Sequence, residues 1–72
     1  MNTYRSDLNL FSVFQAMLET RSVTLAADRF GITQPAMSNA LTRLRQLLGD
    51  PLFVNSTSGM QPTPYALEIA ET

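Results

Sequence analysis

The sequence predicts a mainly α domain: a three-helix core, a short β-hairpin and the start of a further helix. Three observations carry that expectation. Apolar residues recur at helical spacing in two stretches, Leu10 to Leu18 and Met37 to Leu48. Gly31 and Gly49 sit where helices should stop, and Pro35 and Pro64 where helices should begin. Between Gly49 and Pro64 lies a short apolar, β-prone run, Leu52-Phe53-Val54, followed by turn formers.

Composition bounds the function classes. Seventy-two residues with 44% apolar content make one small folded domain whose core is modest. The chain has no Cys and no His. A disulfide framework and a thiolate metal site are thereby excluded, and the commonest general base and metal ligand is missing. With scattered carboxylates besides, an enzyme is not expected, and no cofactor or metal is implied. No apolar run approaches membrane-spanning length and no signal peptide is visible, so a cytoplasmic location is the default expectation. Net charge is −1 and the pI is about 5.0. Averaged over the chain, that balance disfavours binding to phosphates. Position matters more: Asp7 and Glu19 lie early, Glu68 and Glu71 late, and Arg43 and Arg45 in the third helix. All five basic residues are Arg, which predicts a modest local positive patch.

Met1 to Ser6 reads as a frayed leader, and the helical pattern opens at Asp7. Leu10, Phe14 and Met17 form one apolar row, and Phe11, Phe14 and Leu18 a second, with Gln15 and Glu19 outward. Thr20-Arg21 ends this helix without Gly or Pro. Ser22 or Thr24 caps the second helix. Its Ala26-Ala27 pair suits close approach to a neighbour, Gly31 stops it, and Ile32 points inward from the turn. The third helix runs from about Gln34 to Leu48, with Thr33 as N-cap and Pro35 in its first turn. Met37, Ala40, Leu41, Leu44 and Leu48 form its core stripe. Gln34, Pro35, Ser38, Asn39, Thr42 and Arg45 fall on the opposite arc, with Arg43 to one flank. Gly49 and Asp50-Pro51 end the helix. Leu52-Phe53-Val54 and Met60-Gln61-Pro62 suggest a hairpin around an Asn55-to-Gly59 loop, with Pro62 tolerated only at an edge or strand end. Thr63-Pro64 caps and opens the last helix, whose apolar side is Tyr65, Ala66, Ile69 and Ala70. The expected division is a domain over residues 1–62 and a truncated helix over residues 63–72.

A short helix, a Gly turn and a third helix with a polar outer face make a helix-turn-helix able to enter a DNA groove. Gln34 suits bidentate pairing with adenine, and Pro35 packing on a thymine methyl. Thr33 and Ser38 hydroxyls are the right length for phosphate, aided by the positive end of the helix. Asn39 and Thr42 lie further along, and Arg43 and Arg45 suit backbone or guanine. Each has a plainer reading. Thr33 serves as a cap in any case; Gln34 and Ser38 are compatible with simple solvation, and the Arg pair with charges favouring the helix C-terminal end. Asn55, Ser56 and Ser58 read as turn formers.

Five collinear pieces carry a family resemblance: Asp7-Leu8-Asn9-Leu10-Phe11, Ser22-Val23-Thr24-Leu25-Ala26-Ala27, Thr33-Gln34-Pro35-Ala36-Met37-Ser38, Leu44 through Pro51-Leu52-Phe53, and Gly59-Met60-Gln61-Pro62-Thr63. Together they resemble the N-terminal winged helix-turn-helix domain of LysR-type transcriptional regulators, and the endings Asp50-Pro51-Leu52-Phe53-Val54 and Gly59-Met60-Gln61-Pro62-Thr63-Pro64-Tyr65-Ala66 resemble its nodulation-regulator-like branch. The resemblance implies binding to double-stranded promoter DNA, a homodimer through the linker helix, and tetramers when full length. It also implies a C-terminal effector-binding domain, absent here, that senses a small-molecule inducer; no membrane is involved. The chain departs from the family pattern at Asn39, Asn55 and Ser58, where many members carry Arg. The wing should therefore grip DNA less strongly, and readout should shift from charge toward amide hydrogen bonds. The competing reading is a helix-turn-helix reused for protein–protein interaction, which the acidic balance and neutral wing slightly favour.

Overall fold

The computed structural model describes residues 9–71. The expected leader and the helix opening at Asp7 lie outside them. Helix α1 spans Leu10–Thr20, α2 Val23–Phe30, α3 Gln34–Leu48 and α4 Pro64–Ala70, with strands β1, Phe53–Ser56, and β2, Gly59–Pro62, between α3 and α4. The strands pair antiparallel, from Phe53 opposite Pro62 to Ser56 opposite Gly59.

Local chemistry sets the helix ends. Asn9, Ser22, Thr33 and Thr63 are N-caps, each accepting a backbone N–H three residues on, at 2.8, 3.1, 3.2 and 3.1 Å. Gly31 and Gly49 end α2 and α3 at φ 68° and 66°, where a Cβ would be strained. Arg21 ends α1 in the same left-handed region (φ 56°), a place sequence offered neither Gly nor Asn. Its amide satisfies the Met17 carbonyl and its Nε the Leu18 carbonyl, so the hydrogen bonds of the turn hold a side chain that is not locally favoured there.

The three long helices pack pairwise around one core. From α1 come Val13, Phe14, Ala16 and Met17; from α2, Ala26 and Ala27; from α3, Met37, Leu41 and Leu44. Both alanines are essentially solvent-free, which lets α2 close on its neighbours. Leu52 and Phe53 seal the core from the hairpin side, and Ala66 from α4. The Phe14 and Phe53 rings meet tilted, 5.8 Å between centroids.

Three expectations are corrected. Phe11 is 70% exposed. It lies about 100° past Leu10, beyond the edge of a stripe centred near Met17, while Val13 and Ala16 take the opposite shoulder and are buried. Leu48 is half out at the helix end, so the α3 stripe closes at Leu44. The Asn55-to-Gly59 loop shrinks to Thr57-Ser58, because the ladder runs on through Ser56. The Ser56 hydroxyl makes this possible: it donates to the Gly59 carbonyl at 3.0 Å and accepts from the Ser58 amide at 3.3 Å. Pro62 sits at the strand end, as its missing N–H requires.

Candidate nucleic-acid interface

Helix α3 carries the candidate site. Its 15 residues extend about 22 Å. Met37, Leu41 and Leu44 fix its inner face in the core. That rotation exposes Thr33, Gln34, Pro35, Ser38, Asn39, Thr42 and Arg43, while Arg45 is half-buried.

The first turn is chemically sparse. Thr33 Oγ1 accepts the Ala36 amide, Pro35 has no N–H, and the Gln34 amide remains for an anion. The Thr33 hydroxyl hydrogen stays available to donate. The side chains of Gln34, Ser38, Asn39 and Arg43 have no hydrogen-bond partner among the described residues. Thr42 differs: its hydroxyl donates to the Ser38 carbonyl at 3.0 Å, so outwardly it presents a methyl and an acceptor lone pair.

Two structures bracket this arc. On one side the start of α1 runs beside it. Asn9 and Leu10 with Ala36, Asn39, Ala40 and Arg43 line an open groove of about 510 Å³. Leu10 and Arg43 continue into a second groove of about 320 Å³ with Gln46 and Leu47. On the other side the wing is tied down through Arg45, whose Nε donates to the Pro51 carbonyl at 2.8 Å and Nη2 to the Phe53 carbonyl at 3.0 Å. Sequence reading placed Arg45 with the outward arc; the structure gives its guanidinium to the chain's own carbonyls. The reason is angular. Arg45 lies on the shoulder of α3 bordering the core, where the chain doubles back after Asp50.

The other described arginines are also engaged. Arg29 pairs with Glu19, and Arg21 donates to Leu18. Arg43 is thus the one described arginine without a partner among the described residues. Sequence reading missed Gln46, which is exposed near the middle of the outward arc; the same helical periodicity that picked out Asn39 would have found it. Asn55, Ser56 and Ser58 lie exposed on the wing; Ser58 is in the turn, whereas Asn55 and Ser56, read as turn formers, belong to β1. Among the described residues, no cluster of acidic side chains suits a metal ion, and no helix is long and apolar enough to cross a membrane.

Known proteins resemble this chain in sequence and in fold. The HTH-type transcriptional activator NahR of Pseudomonas putida is 57% identical over 65 residues, covering 90% of this chain and 22% of the relative. The HTH-type transcriptional regulator LeuO of Escherichia coli is 44% identical over 63 residues, 88% of this chain and 20% of the relative. This chain therefore spans about a fifth of the length of these relatives. Among solved structures, the probable transcriptional regulator PA0477 from Pseudomonas aeruginosa superposes with a TM-score of 0.83 at 46% identity, covering 90% of this chain and 22% of that one. The BenM_DBD/catB site 1 DNA complex superposes at 0.66 with 30% identity, covering 82% of this chain and 74% of that one. The fold is accordingly that of the winged-helix domains of LysR regulators. The model of the bacterial regulatory helix-turn-helix protein, lysR family, matches residues 8–67, and to that family the chain belongs.

Proposed function

We propose that this domain binds double-stranded promoter DNA sequence-specifically, with α3 in the major groove, as the DNA-binding part of a transcriptional regulator. The supporting observation is the solvated arc of α3: Gln34, Ser38, Asn39 and Arg43 are exposed and carry donors and acceptors with no partner among the described residues. Gln34 and Asn39 each have the amide that pairs bidentately with adenine N6 and N7. Thr33, Ser38 and the Gln34 amide suit one phosphate at the positive end of the helix. Pro35 and the Thr42 methyl offer apolar contact to thymine. Arg43, beside the groove at the start of α1, suits a backbone phosphate. Arg45 serves the same site through the wing. Likeness to a domain solved in a DNA complex supports the reading.

Residues 1–62 act as the DNA-binding unit and residues 63–72 as the opening of a linker helix in this proposal. Leu67, 48% exposed on α4, suits a homodimer formed through that helix; tetramers and a small-molecule inducer belong to the full-length regulator and its effector domain.

The test is binding to a duplex enriched from a randomised library by the chain itself, followed by fluorescence anisotropy. Gln34→Ala and Ser38→Ala should each weaken binding to the enriched duplex more than to random duplex. Failure to enrich any duplex, alongside salt-insensitive association with a protein, would instead establish a protein-interaction module.

A further inference from the structure

The wing hangs on a strained turn. A hairpin of two four-residue strands is marginal by itself in water. Here only Phe53 among the strand residues is fully buried, and residues 54–59 are exposed. The entry to β1 is a three-residue turn in which the Phe53 amide donates back to the Pro51 carbonyl at 2.6 Å around Leu52. Leu52 has φ 64°, the positive-φ form of this turn that non-glycine residues rarely adopt. Such a conformation persists only where its surroundings hold it.

Four contacts do so. The Leu52 side chain is fully buried. Its amide donates to Asp50 Oδ1 at 2.8 Å, and its carbonyl accepts the Thr63 amide at 2.9 Å. The carbonyls on either side of it, Pro51 and Phe53, converge on the single guanidinium of Arg45. A planar fork can bridge two acceptors in fixed geometry; an ammonium is a point donor and cannot hold the pair in the same way. At its far end the wing is held by the Met60 amide, which donates to the Arg21 carbonyl at 3.1 Å. Arg45 is therefore the one side chain of α3 that hydrogen-bonds the entry to the wing.

We infer that Arg45 is a positioning residue: it latches the wing to the reading helix and so sets where the wing meets DNA, without itself neutralising a phosphate or reading a base. This rests on the DNA-binding reading above for its functional half. Its structural half stands without DNA.

The experiment compares the intact chain with Arg45→Lys, Arg45→Met and, as control, Arg43→Met. Amide hydrogen exchange is measured on the free proteins. Both Arg45 variants should speed exchange across residues 53–63 by about tenfold relative to the amides of α1, and Arg43→Met should not. Binding is then read by anisotropy on the enriched duplex over a salt series. Both Arg45 variants should weaken binding about tenfold with the slope of log K against log salt unchanged, and Lys should fail to rescue. Arg43→Met should make that slope shallower by about 0.9. An unchanged slope excludes the loss of a phosphate contact, and α1 amides that exchange as in the intact chain exclude a loss of folding. Unchanged exchange in the wing overturns the latch. Normal binding by Arg45→Lys, together with a slope shallower by about 0.9 in Arg45→Met, overturns the positioning role in favour of a phosphate contact. If the unsubstituted chain enriches no duplex, the DNA-binding reading fails and takes the functional half with it, and the exchange result still decides the structural half.

Discussion

Few cations are free to meet DNA, and this makes an unusual salt dependence the sharpest consequence of the structure. Of five arginines, Arg29 is paired with Glu19, Arg21 and Arg45 donate to backbone carbonyls, and Arg5 lies outside the described residues. Arg43 remains. Each phosphate neutralised contributes about −0.9 to the slope of log K against log salt, so one per chain costs about fourfold in affinity between 50 and 200 mM. If Arg5 also reaches the backbone, the slope becomes about −1.8 and the loss roughly twelvefold. A domain making six to ten such contacts would lose about 10³–10⁵ over the same range. The perturbation is the salt titration itself, with Arg43→Gln as the companion variant, and the assay is anisotropy of a labelled, enriched duplex. The account expects a shallow slope that Arg43→Gln makes shallower by about 0.9. A thousandfold loss, or a slope indifferent to Arg43→Gln, would refute the inventory of free charge.

Other outcomes follow from the same geometry. Gln34→Ala and Ser38→Ala should each lower discrimination between enriched and random duplex, Gln34→Ala by about 1–3 kcal/mol, with the melting temperature nearly unchanged; comparable losses of thermal stability would show that these side chains support the fold. Leu44→Ala should do the reverse. Leu44 is 6% exposed, so truncation should cost about 2–5 kcal/mol, a drop of roughly 10 °C or more in a calorimetric melt. Gly59→Ala should destabilise more than Gly31→Ala. At Gly59 the φ is +114° and a Cβ would lie 3.1 Å from the Arg21 carbonyl oxygen, whereas at Gly31 it meets nothing within 4 Å. Equal losses in chemical denaturation would mean that the wing is not docked on the α1–α2 turn.

Features whose causes are local were legible in the sequence. Thr33, Thr63, Gly31, Gly49 and the prolines at positions 35 and 64 act within a turn of their own positions, and each sits where helix-end chemistry places it. The inner stripe of α3 through Met37, Leu41 and Leu44 followed from periodicity. Features that depend on segments distant in sequence were not. Nothing near Arg45 announces that the chain will return and offer it two carbonyls. Close to Leu52 only the Asp50 carboxylate, which takes its amide, supports the positive φ; Thr63, Arg45 and the core complete the hold from elsewhere. Arg21 takes a left-handed cap because the turn into α2 and the docking of β2 both use its backbone. Phe11 was misjudged for a simpler reason: two apolar rows read from one helix overstate the width of its buried face, and only packing chose between them. In the candidate site, the exposed residues of α3 were readable, while the division of labour between Arg43 and Arg45 required the folded chain.

The most direct test is the structure of this chain on its enriched duplex. The account requires α3 in the major groove, with Gln34 and Asn39 within hydrogen-bond distance of base edges and Arg43 on a phosphate. A duplex seated on any other face, with those side chains left in water, would contradict it.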